Sequence, residues 1–177
     1  MLIISSSLHP ESRSRRLAHA AAEHVRELGL EPDLLDLRET DLPLCDGDSV
    51  YEDPRVGRVR DRVERAESIV FAGPIYNYGP NAAAKNLIEL TGKAWTGKVV
   101  GLIAAAGGQS SYQSPMSMAG MLMLDFRCLI VPRFVYATEA AFNGDGSPGL
   151  DLSDRTIQLV AEVASLASAI AQADATA

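Results

Sequence analysis

Five short apolar runs, each followed by residues at helical spacing, constrain this chain more than any other feature. The runs fall at residues 1–6 (MLIISS), 32–37 (PDLLDL), 68–72 (SIVFA), 98–106 (KVVGLIAAA) and 128–136. The third and fourth are nearly all apolar, as strands covered on both faces must be. After the first, Leu17, Ala21, Val25 and Leu28 recur at helical spacing from Arg15, until Gly29 stops the pattern. Residues 55–66 carry Val56, Val59 and Val63 in the same way, and 81–90 read as a helix with Pro80 near its start. Residues 114–126 form a methionine-rich helix. Residues 152–171 close the chain with Ile157, Val160, Val163, Ala167 and Ile170 on one face. Strand–helix alternation with short loops predicts a five-stranded parallel sheet with helices on both faces, a three-layer α/β sandwich. No repeat or linker divides residues 1–177, so one domain is expected, with the alanine-rich tail after 171 frayed.

In such a fold ligands sit at the carboxyl ends of the strands, where strand order reverses. The loops 6–14, 73–80 and 107–112 are therefore expected to converge. The first is rich in hydroxyls: Ser6, Ser7, Ser12 and Ser14, with His9 and Arg13 among them and Arg15 just beyond. A hydroxyl-rich turn that opens a helix is a natural anion seat, because the first backbone N–H groups lack partners and the dipole favours negative charge. The plain alternative is that these serines merely cap the helix. This turn is neither G-x-x-x-x-G-K-[ST] nor G-x-G-x-x-G, so a single phosphate monoester suits it better than a polyphosphate.

The other two loops suit a flat ligand. Gly73-Pro74-Ile75-Tyr76-Asn77-Tyr78-Gly79-Pro80 is held by two prolines and offers aromatic surface. Gly107-Gly108-Gln109-Ser110-Ser111-Tyr112 allows backbone to approach a ring closely. A planar heterocycle tethered to one phosphate fits, and FMN has that shape. The formal net charge of -7 argues against nucleic acid or an anionic membrane as partner. Cys45 and Cys128 show no metal-ligand spacing, no G-x-S-x-G elbow occurs, and no signal peptide is read at Met1. The expected compartment is the cytoplasm.

With these loops in order, the chain resembles the NAD(P)H-dependent FMN reductases of flavodoxin-like fold, which include quinone, chromate and azo-dye reductases. The resemblance rests on Ser6-Ser7-Leu8-His9-Pro10-Glu11-Ser12-Arg13-Ser14, on Pro74-Ile75-Tyr76-Asn77 followed by Lys85-Asn86, and on Gly107-Gly108. It implies that Ser7, His9, Ser12, Arg13 and Ser14 hold the FMN phosphate. It implies that Pro74, Ile75, Tyr76 and Asn77 flank the isoalloxazine, and that Gly108, Gln109 and Ser110 close its other edge. NADPH or NADH would deliver hydride to the flavin, and a small acceptor such as a quinone or free flavin would take the electrons. No side-chain acid or base is demanded. The family also implies a homodimer or homotetramer, with the methionine helix read either as core alone or as core plus interface. Two departures stand out. Ser6 replaces the usual glycine and would strain the turn if that position needed positive φ. His9 replaces the usual arginine, a weaker phosphate partner, so FMN is expected to be loosely held. The alternative is a flavin-binding electron carrier, or a non-catalytic partner protein, without nicotinamide oxidation. His19 and His24 are read as surface.

Overall fold

The computed structural model of the protein describes residues 1–176. The first apolar run becomes β1 (Leu2–Ser5), every residue of it buried. It is flanked by β2 (Asp33–Asp36) on one side and β3 (Ser68–Tyr76) on the other. Leu2 pairs with both Asp33 and Ile69, in parallel register. β3 then pairs with β5 (Val99–Ala105) from Ser68↔Val99 to Pro74↔Ala105. The order β2-β1-β3-β5, with the last strand segments outside β5, is the flavodoxin-like winding. Order reverses between β1 and β3, so their carboxyl ends flank the switch point.

Five helices cover the sheet: α1 (Arg13–Glu27), α2 (Pro54–Arg65), α3 (Ala82–Thr91), α4 (Pro115–Phe126) and α5 (Leu150–Asp174). Alternation along the strands decides which face each residue serves. Ile3 packs with Leu17, Ala21 and Val25 of α1 and with Val160 and Val163 of α5. Leu2 and Ile4 pack with Val59 of α2, Leu87 of α3, Leu122 of α4 and the fully buried Trp95. α5 is long and apolar enough to span a bilayer by composition, yet Leu152, Leu159, Val160 and Val163 lie in the core. It continues as helix to Asp174, past the expected start of the tail.

The sheet has seven strand segments, where five strands were expected. Two local events account for the difference. The fifth strand is split into β6 (Leu129–Ile130) and β7 (Val135–Ala137). Pro132 has no N–H to donate, and Arg133 turns left-handed at φ 62, so pairing with β5 lapses between them. The third strand runs on to Tyr76 and folds back as β4 (Gly79–Pro80), pairing Ile75↔Pro80 and Tyr76↔Gly79. The two-residue tip, Asn77 at φ 50 and Tyr78 at φ 66, has the positive φ values of a type I′ turn.

One close approach on the α1/α5 face is measurable. A Cβ built on Gly101 of β5 would lie 2.7 Å from Val163 Cγ2 and 3.1 Å from Leu159 Cγ. Gly101→Ala must therefore push α5 off the sheet, at about 1–3 kcal/mol. Urea unfolding checks this: the midpoint should fall with the m-value unchanged.

Candidate functional site

The turn after β1 is built by its own side chains. Ser6 N–H donates to Ala72 O at 2.9 Å, extending the β1–β3 contact by one residue. Ser6 is not among the residues of positive φ, so serine meets no strain there. Its hydroxyl donates to Asn81 Oδ1 at 2.8 Å, and Asn81 Nδ2 donates to Ser6 O at 2.7 Å. Ser7 Oγ accepts the His9 N–H, and His9 Nδ1 accepts the Glu11 N–H at 3.1 Å. That bond uses the Nδ1 lone pair, so the neutral ring carries its proton on Nε2 and can donate from there. Ser12 is the N-cap of α1: its Oγ accepts the Arg15 N–H and lies 2.9 Å from Ser14 Oγ. The N–H groups of Arg13 and Ser14 precede any helical acceptor and point out of the helix start.

This helix start forms one end of a cleft of about 730 Å³ at the carboxyl edge of the sheet. That volume lies in the usual range of roughly 300–1,000 Å³ for small-molecule sites. Its walls are His9, Glu11, Ser12, Arg13, Ser14 and Arg16 from the first turn, and Pro74, Ile75 and Tyr76 from β3. Ala105, Ala106 and Gly107 come from the end of β5, and Glu139, Phe142 and residues 143–146 from the loop after β7. Seven of the expected residues thus meet in one cleft: His9, Ser12, Arg13, Ser14, Pro74, Ile75 and Tyr76. Five do not line it. Ser7 is buried under the turn. Asn77 is at the exposed hairpin tip. Gly108 lies just past the lining, its carbonyl accepting the Tyr136 hydroxyl at 2.5 Å. Gln109 and Ser110 sit on an exposed turn of 3₁₀ helix (Gln109–Ser111).

The charges arrange themselves in a way the sequence did not announce. Arg15, placed near the anion seat by its number, turns away: its Nε bonds Asp36 Oδ2 at 2.5 Å and its Nη2 bonds Glu39 at 2.8 Å. Those carboxylates hold its pKa above the ordinary arginine value. Arg16 takes the place in the cleft instead. Arg13 reaches Glu139 at 3.0 Å and lies 5.9 Å from the centre of the Phe142 ring. His24, read as surface, is half-buried with Nδ1 on Glu27 at 3.0 Å. Of the family's Lys-Asn pair, Lys85 pairs with Glu89 on the surface, while Asn86 pins the 43–45 loop through Cys45 N–H and Pro43 O.

The donor set fits a phosphate at one end of the cleft: two hydroxyls, the α1 N–H groups, a histidine N–H and two guanidiniums. The other part of the cleft is walled by 74–76 and 105–107, where the paired strands β3 and β5 end. A Cβ on Gly107 would meet nothing within 4 Å, so backbone there is open to a flat ring. A monoester seat beside open backbone at the ends of β3 and β5, at the switch point of a flavodoxin-like sheet, is the kind of site that fits a flavin nucleotide.

The model of the NADPH-dependent FMN reductase family matches residues 1–143, and the chain belongs to that family. It is similar to a quinone reductase of Pseudomonas putida, 27% identical over 168 residues covering 87% of this chain and 84% of that one. It is likewise similar to an NAD(P)H:quinone oxidoreductase of Solanum tuberosum, 27% identical over 156 residues covering 81% and 79%. Among solved structures, the apo form of the NADH:FMN oxidoreductase EMOB superposes with a TM-score of 0.76 at 16% identity, covering 92% of this chain and 86% of that chain. FerB of Paracoccus denitrificans superposes at 0.70 and 19% identity, covering 91% and 96%. These two show the fold. The protein is an FMN-dependent NAD(P)H oxidoreductase: FMN is its cofactor and a reduced nicotinamide its co-substrate.

Proposed function

We propose that this chain reduces a quinone-type acceptor with electrons from NADPH or NADH, using FMN seated in the cleft just described. The observation that carries the reading is one cleft that joins the anion seat at the start of α1 to 74–76 and 105–107 at the carboxyl ends of β3 and β5. The relatives' names point to quinones as the acceptor class. The chemistry supplied by bound FMN is hydride acceptance from the nicotinamide and delivery of two electrons onward.

The chain's own part is binding and orientation. Ser12 and Ser14 donate hydroxyls to the phosphate, the α1 N–H groups face it, and His9 donates from Nε2. Arg13 and Arg16 supply charge. Pro74, Ile75 and Tyr76 set the plane of the ring. Asn77, Gly108, Gln109 and Ser110, directly beyond lining residues, meet the ring edge, while Ser7 acts by holding His9. Tyr76 is half exposed, which leaves the cleft open beside it to nicotinamide and acceptor in turn.

The single flavodoxin-like domain works in the cytoplasm as a homodimer or homotetramer. The support is α4, which buries Met118 and Leu122 but exposes Met116, Met123 and Leu124, the last at 88%. Such an apolar helix face fits a second copy of the chain.

The test is an absorbance spectrum of protein loaded with FMN and desalted, before and after NADPH is added without oxygen. A flavin band that bleaches is the expected result, and NADPH oxidation should then depend on added quinone. A retained band that neither NADPH nor NADH bleaches would turn the reading towards an electron carrier. No retained band would remove the cleft as a flavin seat.

A further inference from the structure

Both guanidiniums at the anion end of the cleft are already paired with carboxylates. Arg13 Nη2 meets Glu139 Oε2 at 3.0 Å, and Arg16 Nη2 meets Glu11 Oε2 at 3.0 Å. The two glutamates come from opposite walls, Glu11 from the turn before α1 and Glu139 from the loop after β7. Each is more than 70% exposed, and among the described residues neither side chain has another polar partner. Arg16 also donates to Asp145 O at 3.4 Å and lies against Gly146, where an added Cβ would stand 1.4 Å from its Nη1. The 139–146 loop is thus tied across the helix start by the same two guanidiniums that a phosphate would need.

We propose that Glu11 and Glu139 are built-in competitors for the cofactor phosphate, setting FMN affinity by occupying Arg16 and Arg13 until the phosphate displaces them. The inference rests on the cleft being the FMN site. A carboxylate and a phosphate offer guanidinium the same planar pair of acceptors, so one exchanges for the other without rebuilding the arginine. The glutamates oppose binding twice: their pairs must break, and their charges then stand beside a phosphate carrying about −1.5 to −2. The pairs are exposed and individually weak, so the exchange is reversible rather than prohibitive. Release of Glu139 also frees one tie of the 139–146 loop, which links cofactor occupancy to that wall of the cleft.

The experiment measures dissociation constants of FMN and of riboflavin, which lacks the phosphate, by flavin fluorescence. The proteins are the wild type, Glu11→Gln, Glu139→Gln and the double variant. Each single substitution should tighten FMN about two- to fivefold, and the double variant more, with riboflavin unchanged. Unchanged FMN binding, or weaker binding, would overturn the proposal. Weaker binding would make the glutamates positioning residues for the arginines. Arg13→Gln/Arg16→Gln separates the two readings. If loss of both arginines leaves FMN binding intact, the site assignment itself falls. If that loss weakens FMN while the glutamine variants change nothing, competition alone falls.

Discussion

Asn81→Ala is expected to lower the stability of the flavin-free protein by about 2–4 kcal/mol, and to loosen FMN as a consequence. Asn81 is 5% exposed and stands one residue before α3, yet its side chain does not cap that helix. It spends both ends of its amide on Ser6 instead, at 2.8 and 2.7 Å. Alanine would strand a buried hydroxyl and a buried carbonyl together, each at roughly 1–3 kcal/mol. The pair also joins the end of β1 to the start of α3 across the switch point, so its loss releases the turn that carries His9 and Ser12. Space for the Ser6 hydroxyl comes from Gly73, where a Cβ would lie 2.5 Å from Ser6 Oγ. Ser6→Ala should cost less, because Asn81 Nδ2 keeps its bond to the Ser6 carbonyl. Chemical denaturation of both single variants and the double variant measures the coupling. Equal costs for Asn81→Ala and Ser6→Ala would mean that the carbonyl bond contributes little.

That pair also shows how far the sequence can be read. Apolar runs and helical spacing are local signals, and they place all five helices and the core strands within a few residues. The convergence of the loops after β1, β3 and β5 follows from the winding rule and needs no side-chain detail. What escaped the reading depends on contacts between distant residues. Nothing near Arg15 or Arg16 marks which one faces the cleft; the choice is made by Asp36 and Glu39, across β2. Residues 142–146 wall the anion end, and their contacts with Arg13 and Arg16, far apart in sequence, are what place them there. Two misses did leave a mark. Pro132 within the fifth apolar run argued against an unbroken strand. Asn77 is a favoured residue for the first position of a type I′ turn, but Tyr78 beside it concealed the hairpin. Serine in place of glycine at Ser6 brings no backbone strain, for a reason only the structure supplies: the position has ordinary φ, and Asn81 and Gly73 are shaped around the hydroxyl.

Ser12→Ala should weaken FMN by about 1.5–3 kcal/mol, roughly ten- to 150-fold in dissociation constant, because one hydrogen bond to a charged phosphate is lost. The same substitution should cost the flavin-free protein about 1 kcal/mol, since Ser12 Oγ is also the cap of α1. The two losses are separable, because the cap needs only an acceptor whereas the phosphate needs a donor. Aspartate is as good a cap as serine and has no hydrogen to give. Ser12→Asp should therefore restore the stability of the flavin-free protein to near the wild-type value. It should bind FMN more weakly than Ser12→Ala does, with a carboxylate now set against the phosphate. Calorimetric melting of the flavin-free proteins and FMN titration supply the two readouts. If Ser12→Asp restored both stability and FMN binding, Ser12 would be a cap and nothing more, and the phosphate would rest on the helix N–H groups and the arginines. If it restored stability alone, the Ser12 hydroxyl would serve both at once, its oxygen accepting from the helix and its hydrogen going to the cofactor phosphate. Its 2.9 Å contact with Ser14 Oγ is then the hydrogen bond that the phosphate replaces.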